Sequence, residues 1–222
     1  MRRTPRLSSM GVTALMLALT PAAATADPDW YESPIFGLDT APNGSLLVAD
    51  AGQGIVQVRG QRRTTIELPG VTDVSPVGSG LLWATTGAGP GETDPQNDTG
   101  QALHRIAGGE TSEVVNLFAF EERANPDGND PHDSNPFDVE ALSGNAALVV
   151  DAGGNDLLRV NRRGDVDVLA TFPDQLVSTE NIKDLAGCPD GPANFCGLPP
   201  MLPAEAVPTS VAIDPAVTTS AS

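Results

Sequence analysis

Phe36-Gly-Leu-Asp-Thr-Ala-Pro-Asn-Gly-Ser-Leu-Leu-Val-Ala-Asp-Ala-Gly52 returns 101 residues later as Phe137-Asp-Val-Glu-Ala-Leu-Ser-Gly-Asn-Ala-Ala-Leu-Val-Val-Asp-Ala-Gly153. Both copies run on into short alternating stretches, Ile55-Val-Gln-Val58 and Leu157-Leu-Arg-Val160. A tandem repeat of this kind is one supersecondary unit, and its apolar face must be buried against the next copy.

Each copy reads as a four-stranded meander. In the first, the strands are Gly37–Ala41, Ser45–Asp50, Ile55–Arg59 and Thr64–Leu68, with turns at Pro42-Asn43-Gly44, Ala51–Gly54 and Gly60-Gln61-Arg62. Asn and Gly tolerate the positive φ such turns require, and short, regularly spaced strands between them indicate an all-β fold. A weaker copy follows, with strands at Val71–Ser75, Leu81–Thr85, Ala102–Ile106 and Thr111–Leu117 and an enlarged loop from Thr86 to Gly100. The third copy covers Phe137–Ala141, Ala147–Asp151, Asp156–Val160 and Asp165–Phe172; Pro208–Pro215 then opens a fourth.

Twelve strands in one open sheet would be unusual. Four-stranded units in tandem predict a β-propeller of three blades plus the first strand of a fourth. Two insertions interrupt the spacing. Phe118–Asn135 opens with a short helical stretch, Leu117–Arg123, and Pro173–Val207 holds a helical turn near Glu180–Ala186.

The N-terminus reads as an export signal over Met1–Ala26. Arg2, Arg3 and Arg6 precede the apolar run Met10–Thr20, and Ala24-Thr25-Ala26 offers cleavage before Asp27. That run is far short of the ~20 residues a membrane-spanning helix needs, so no span is expected after cleavage. The propeller domain then covers Asp27–Pro215 and a disordered tail Ala216–Ser222. Without the signal, nine basic side chains face 29 acidic ones, a net charge of −20. Such a surface repels nucleic acid and anionic lipid. Cys188 and Cys196 form a local pair, which in an exported chain closes a disulfide. A zinc site would need further soft ligands that their surroundings lack.

Several segments resemble the ScyD/ScyE family, exported NHL-like propellers named from scytonemin-pigment gene clusters. They are Phe118-Ala-Phe-Glu121, Asn125-Pro-Asp127, Asp133-Ser-Asn-Pro-Phe-Asp-Val139, Val150-Asp-Ala-Gly-Gly-Asn-Asp-Leu-Leu-Arg-Val160 and Val207-Pro-Thr-Ser-Val-Ala212. The resemblance runs from about Ile35 to Ile213. It implies about six blades and an extracytoplasmic location, and it implies no particular activity. A full member would continue past Ile213, so the chain reads as C-terminally truncated. Open blade edges would then invite self-association.

Candidate chemistry is concentrated in the acidic insertion. Asp127, Asn129, Asp130 and Asp133 supply the hard oxygen donors Ca²⁺ takes. The spacing is not that of an EF-hand loop, since Pro131 takes the fifth position and His132 stands where glycine is needed. The alternative is a solvated loop whose Asn and Asp side chains bond their own backbone. Asp50 and Asp151 recur at one blade position and so read as turn-closing residues. Asp133, Asn135, Asn155 and Asp156 differ between copies and are the ligand-binding candidates. His104 reads as a blade-surface residue and His132 as an ordinary histidine of the acidic loop.

Esterase elbows, His-Glu-x-x-His and phosphate-cradling loops are missing from the sequence. By analogy with NHL-like propellers, the expected function is a non-catalytic binding or scaffold protein whose partner is a small molecule or a protein. The alternatives are a Ca²⁺-dependent propeller hydrolase of lactonase type and an inactive remnant.

Overall fold

The computed structural model describes residues 31, 34–78, 80–87, 96 and 98–214. The expected signal segment with its Ala26–Asp27 cleavage point, most of the Thr86–Gly100 loop and the tail Ala216–Ser222 lie outside these residues. The chain divides into Met1–Trp30 and Tyr31–Ser222, and every described residue belongs to the second unit.

The repeat folds as three antiparallel meanders. The first sheet is β1 (Ile35–Thr40), β2 (Leu46–Asp50), β3 (Gly54–Arg59) and β4 (Arg62–Glu67), in that order. The second is β5 (Val71–Gly78), β6 (Leu81–Thr86), β7 (Ala102–Ala107) and β8 (Glu110–Asn116). The third, after helix α1 (Leu117–Ala124), is β9 (Pro136–Ser143), β10 (Ala146–Asp151), β11 (Asp156–Asn161) and β12 (Val166–Thr171). The twelve strands expected from sequence are all present, displaced by a few residues at most. The first β-turn shows why the local chemistry succeeds. Gly44 takes φ 79°, and the Asn43 side chain accepts a hydrogen bond from Ser45 N at 2.9 Å.

The sheets stand as propeller blades, with first strands inward. β1 packs on β5 and β5 on β9, while β2 and β6 reach the first strand of the following blade. Outer strands β4 and β12 are largely exposed. Phe36 and Phe137, which open the two strong copies, meet edge to face with ring centroids 5.7 Å apart.

Two apolar layers hold the blades together. Leu47, Ala49 and Ile55 of the first face Val74, Leu82, Ala84 and Ile106 of the second. Trp83, Leu103 and Leu117 face Val139, Ala147, Val149 and Leu158 of the third. The Trp83 indole is fully buried, and its Nε1 donates to Ser143 O at 2.9 Å. Polar contacts also join the inner strands: Thr72 Oγ1 donates to Pro136 O at 2.7 Å, and Val139 N to Asp73 Oδ2 at 3.1 Å.

The segment from Pro208 forms no strand. It nevertheless repeats the inter-blade contact one blade on, because Val211 N donates to Asp138 Oδ2 at 2.6 Å as Val139 N does to Asp73. Among the described residues no strand pairs with it. The second insertion is richer than expected. Helices α2 (Glu180–Leu185) and α3 (Ala193–Cys196) lie between β13 (Gln175–Ser178) and β14 (Met201–Ala204), which pair antiparallel. Cys188 and Cys196 are disulfide-bonded inside this hairpin.

Trp83 is the largest fully buried side chain of the second inter-blade layer among the described residues, and its loss leaves a large cavity. Trp83→Ala is expected to cost about 3–5 kcal/mol of unfolding free energy, measured by urea denaturation.

Candidate functional site

In a meander, the turn between strands two and three and the connection to the next blade lie at one end. At that end of the third blade the α1 insertion meets the β10–β11 turn. Helix α1 begins where the Asn116 side chain accepts from Ala119 N at 2.7 Å, and it ends at Asn125 in the left-handed region, φ 40°. Its buried face carries Leu117, Phe118 and Glu121. That face turns the Glu121 carboxyl onto the β10–β11 turn, where a Cβ added at Gly154 would stand 3.2 Å from Glu121 Oε2.

Asp151 ties the two segments together. Its Oδ2 accepts from Ser134 Oγ at 2.6 Å, and its Oδ1 from Asn135 N, Gly153 N and Gly154 N at 2.6, 3.1 and 3.0 Å. The approach is so close that a Cβ at Gly153 would lie 2.8 Å from Asn135 N. This is the physical reason for glycine in Asp-Ala-Gly-Gly-Asn-Asp. Asp50 does a simpler version of the same work, accepting from Gly52 N at 3.0 Å and Gln53 Nε2 at 2.8 Å. Both aspartates close turns, as their recurrence suggests.

Asn155 links three strands of chain. Its Nδ2 donates to Asp127 Oδ2 at 3.1 Å and its Oδ1 accepts from Val207 N at 3.1 Å. Asp127 also accepts from Asn129 N at 2.9 Å and Asn129 Nδ2 at 2.7 Å, an Asx turn folded back on itself. Asp130 is exposed, and Asp133 and Asn135 are half-buried. Among the described residues no group of three or more His, Cys, Asp or Glu side chains is placed to hold a metal ion. Asp127 and Asn129 thus form the self-bonded Asx turn that the solvated-loop alternative describes.

No family model and no curated protein matches this sequence. Solved β-propeller structures resemble it distantly. Virginiamycin B lyase from Staphylococcus aureus is 19% identical with TM-score 0.41, over 61% of this chain and 40% of that one. A putative gluconolactonase is 20% identical with TM-score 0.41, over 62% and 49%. YCF48 from Cyanidioschyzon merolae is 17% identical with TM-score 0.42, over 64% and 39%. The chain covers less than half the length of each. At such identities and scores they add nothing about activity, and the propeller assignment rests on the sheets themselves.

Two carboxyls at this end are buried in like company. Asp156 is 1% exposed and neither oxygen has a hydrogen-bond partner. Burial, then the charges of Asp151, Glu121 and Asp127, push it up to about 9. Glu121 is pushed up to about 8 by burial, then by Asp127, Asp151 and Asp133. Burial also raises Asp151, although its four hydrogen bonds pull the other way. At neutral pH Asp156 and Glu121 thus hold their protons.

The sequence reading singled out Asp133, Asn135, Asn155 and Asp156, and the fold brings all four to this rim. It missed Glu121, whose only signal was its place in Phe118-Ala-Phe-Glu121, on the inward face of a short helix. It also missed a carboxylate group on the inner strands. Asp73 is pushed up to about 8 by burial, then by its hydrogen bond with Asp138. Burial, then Asp39 and Asp138, raise Glu140. His104 is half-buried rather than on the surface: its Nε2 lies 3.0 Å from Thr86 Oγ1, and burial lowers its pKa.

Glu121 loses its proton near 4.5 when unfolded and near 8 when folded; for Asp156 the values are 3.8 and about 9. Between those limits the folded chain binds more protons, so these groups support stability at low pH and lose that contribution as pH rises. Glu121→Gln and Asp156→Asn should therefore raise the melting temperature relative to wild type near pH 9, with the gain vanishing near about pH 4. Asp151→Ala strands four donors and should cost at least about 2 kcal/mol at any pH, read by urea unfolding.

Proposed function

We propose that this is an exported, non-catalytic binding protein of ScyD/ScyE type, whose recognition surface is the rim built from residues 125–135, 151–156 and 207–211. One observation carries the reading. The segments that bear the family resemblance are scattered over residues 118–212 of the sequence, yet they are bonded to one another in space. Asp127 meets Asn155, Asp151 meets Ser134 and Asn135, Asn155 meets Val207, and Asp138 meets Val211.

Loops pinned in this way present a preorganised surface, which lowers the ordering cost of binding. Asp133 and Asn135, half-buried at the edge, would contact the ligand. Asn155 and Asp156, both buried, would hold the floor beneath them. The Cys188–Cys196 disulfide supports an oxidising compartment outside the cytoplasm.

The Ca²⁺-dependent hydrolase of lactonase type remains a second reading because of one feature, the buried Asp156 carboxyl with no hydrogen-bond partner. Titrating the mature protein with Ca²⁺, and assaying δ-valerolactone and gluconolactone hydrolysis with and without it, separates the two. No turnover is expected. Calcium-dependent turnover abolished by Asp156→Asn would replace the binding reading with the hydrolase. In the same preparation, N-terminal sequencing of exported protein should begin at Asp27. A thermal-shift screen should find ligands that stabilise wild type but not Asp133→Ala. Intact Met1 on cytoplasmic protein would overturn the export assignment.

A further inference from the structure

A cavity of about 260 Å³ opens between the first two blades, at the end opposite the rim. Its walls are apolar: Ala41, Leu47 and Ile66 on one side, Leu82 and Ile106 on the other. A second chamber of about 180 Å³ adjoins it, sharing Asn43, Gln57 and Thr64 and ending at Arg59 and Arg62.

The repeat explains why the space is empty. Asp50 pairs with Ile35 and Thr86 with Val71, so these two end the second strand of their blades in register. Counting three residues back, Leu47 occupies in the first blade the place of Trp83 in the second. Likewise Gly78, paired with Leu81, corresponds to Ser143, paired with Ala146. Between blades two and three the Trp83 indole fills the layer and bonds Ser143 O. Between blades one and two the same volume is bounded by Leu47 and Gly78, and an added Cβ at Gly78 would meet nothing within 4 Å. The gap follows from two specific residue choices within otherwise equivalent layers.

The charge at its mouth is equally uneven. The chain carries 29 acidic and 12 basic side chains, yet no acidic residue lines either chamber among the described residues. Arg59 and Arg62 are exposed, and the described ion pair of this protein, Arg159–Asp167, lies in another blade. Guanidinium groups hold carboxylates through paired, charge-assisted hydrogen bonds. A concave apolar pocket with a few polar groups at one end is the usual form of a small-molecule site.

We propose that this cleft binds an aliphatic monocarboxylate, the chain lying between Leu47 and Leu82 and the carboxylate reaching Arg59 and Arg62 through the Asn43–Gln57–Thr64 neck. The site is independent of the rim and of the function proposed for it.

Calorimetric titration of the mature protein with sodium octanoate tests this, with octylammonium chloride and acetate as controls for charge and chain. Octanoate should bind saturably and both controls should not. The double variant Arg59→Gln/Arg62→Gln should weaken octanoate about tenfold or more. Leu47→Trp, which reproduces the filling seen around Trp83, and Gly78→Leu, which fills the cavity from the opposite wall, should each abolish binding without lowering the melting temperature. If either variant fails to fold, the other decides. The proposal is overturned if octanoate does not saturate, if octylammonium binds equally well, or if a folded filling variant binds as wild type does.

Discussion

The middle blade is apolar on both faces. Leu82 and Ala84 point to one side and Trp83 and Leu103 to the other, and neither set can be left in water without losing the main driving force for folding. A sheet must therefore lie on each side of it. With strands twisted and first strands inward, that requirement produces a radial stack rather than a continuous sheet. The insertions, the acidic rim and the cleft all take their positions from this packing.

Stacking also imposes an electrostatic cost. First strands that converge bring Asp73, Asp138, Glu140 and Asp39 within reach of one another, and Gly37 stands where a Cβ would lie 2.0 Å from Asp73 Oδ1. The rim meets the same difficulty differently. Asp151 is buried but receives four hydrogen bonds, whereas Asp156 is buried with none and retains its proton. Two neighbouring aspartates in one turn thus have different work: one fastens the loop, and the other is a neutral buried acid whose ionisation the fold resists.

Much of the fold was legible because its rules are local. Alternating apolar residues, Asn-Gly turns and the recurrence of Asp-Ala-Gly defined twelve strands and their grouping. The α1 helix was visible from its pattern, while β13 and β14 were not: Pro203 interrupts an already short run, and the pair closes over 22 intervening residues. Within the site, Asn155 and Asp156 stood out by differing from their counterparts. Glu121 did not, because its direction depends on which face of α1 meets the third blade.

By itself the sequence determined the blade unit, its number of strands, the turn chemistry and the pairing of the two cysteines, since each depends on residues near one another in the chain. Tertiary structure alone decided which carboxyls share a low-dielectric space and which keep their protons. It also decided that Leu47 and Gly78 leave open the volume Trp83 fills one blade later. Those outcomes depend on distances between residues sixty or more positions apart in some pairs, and such distances exist only once the sheets have packed.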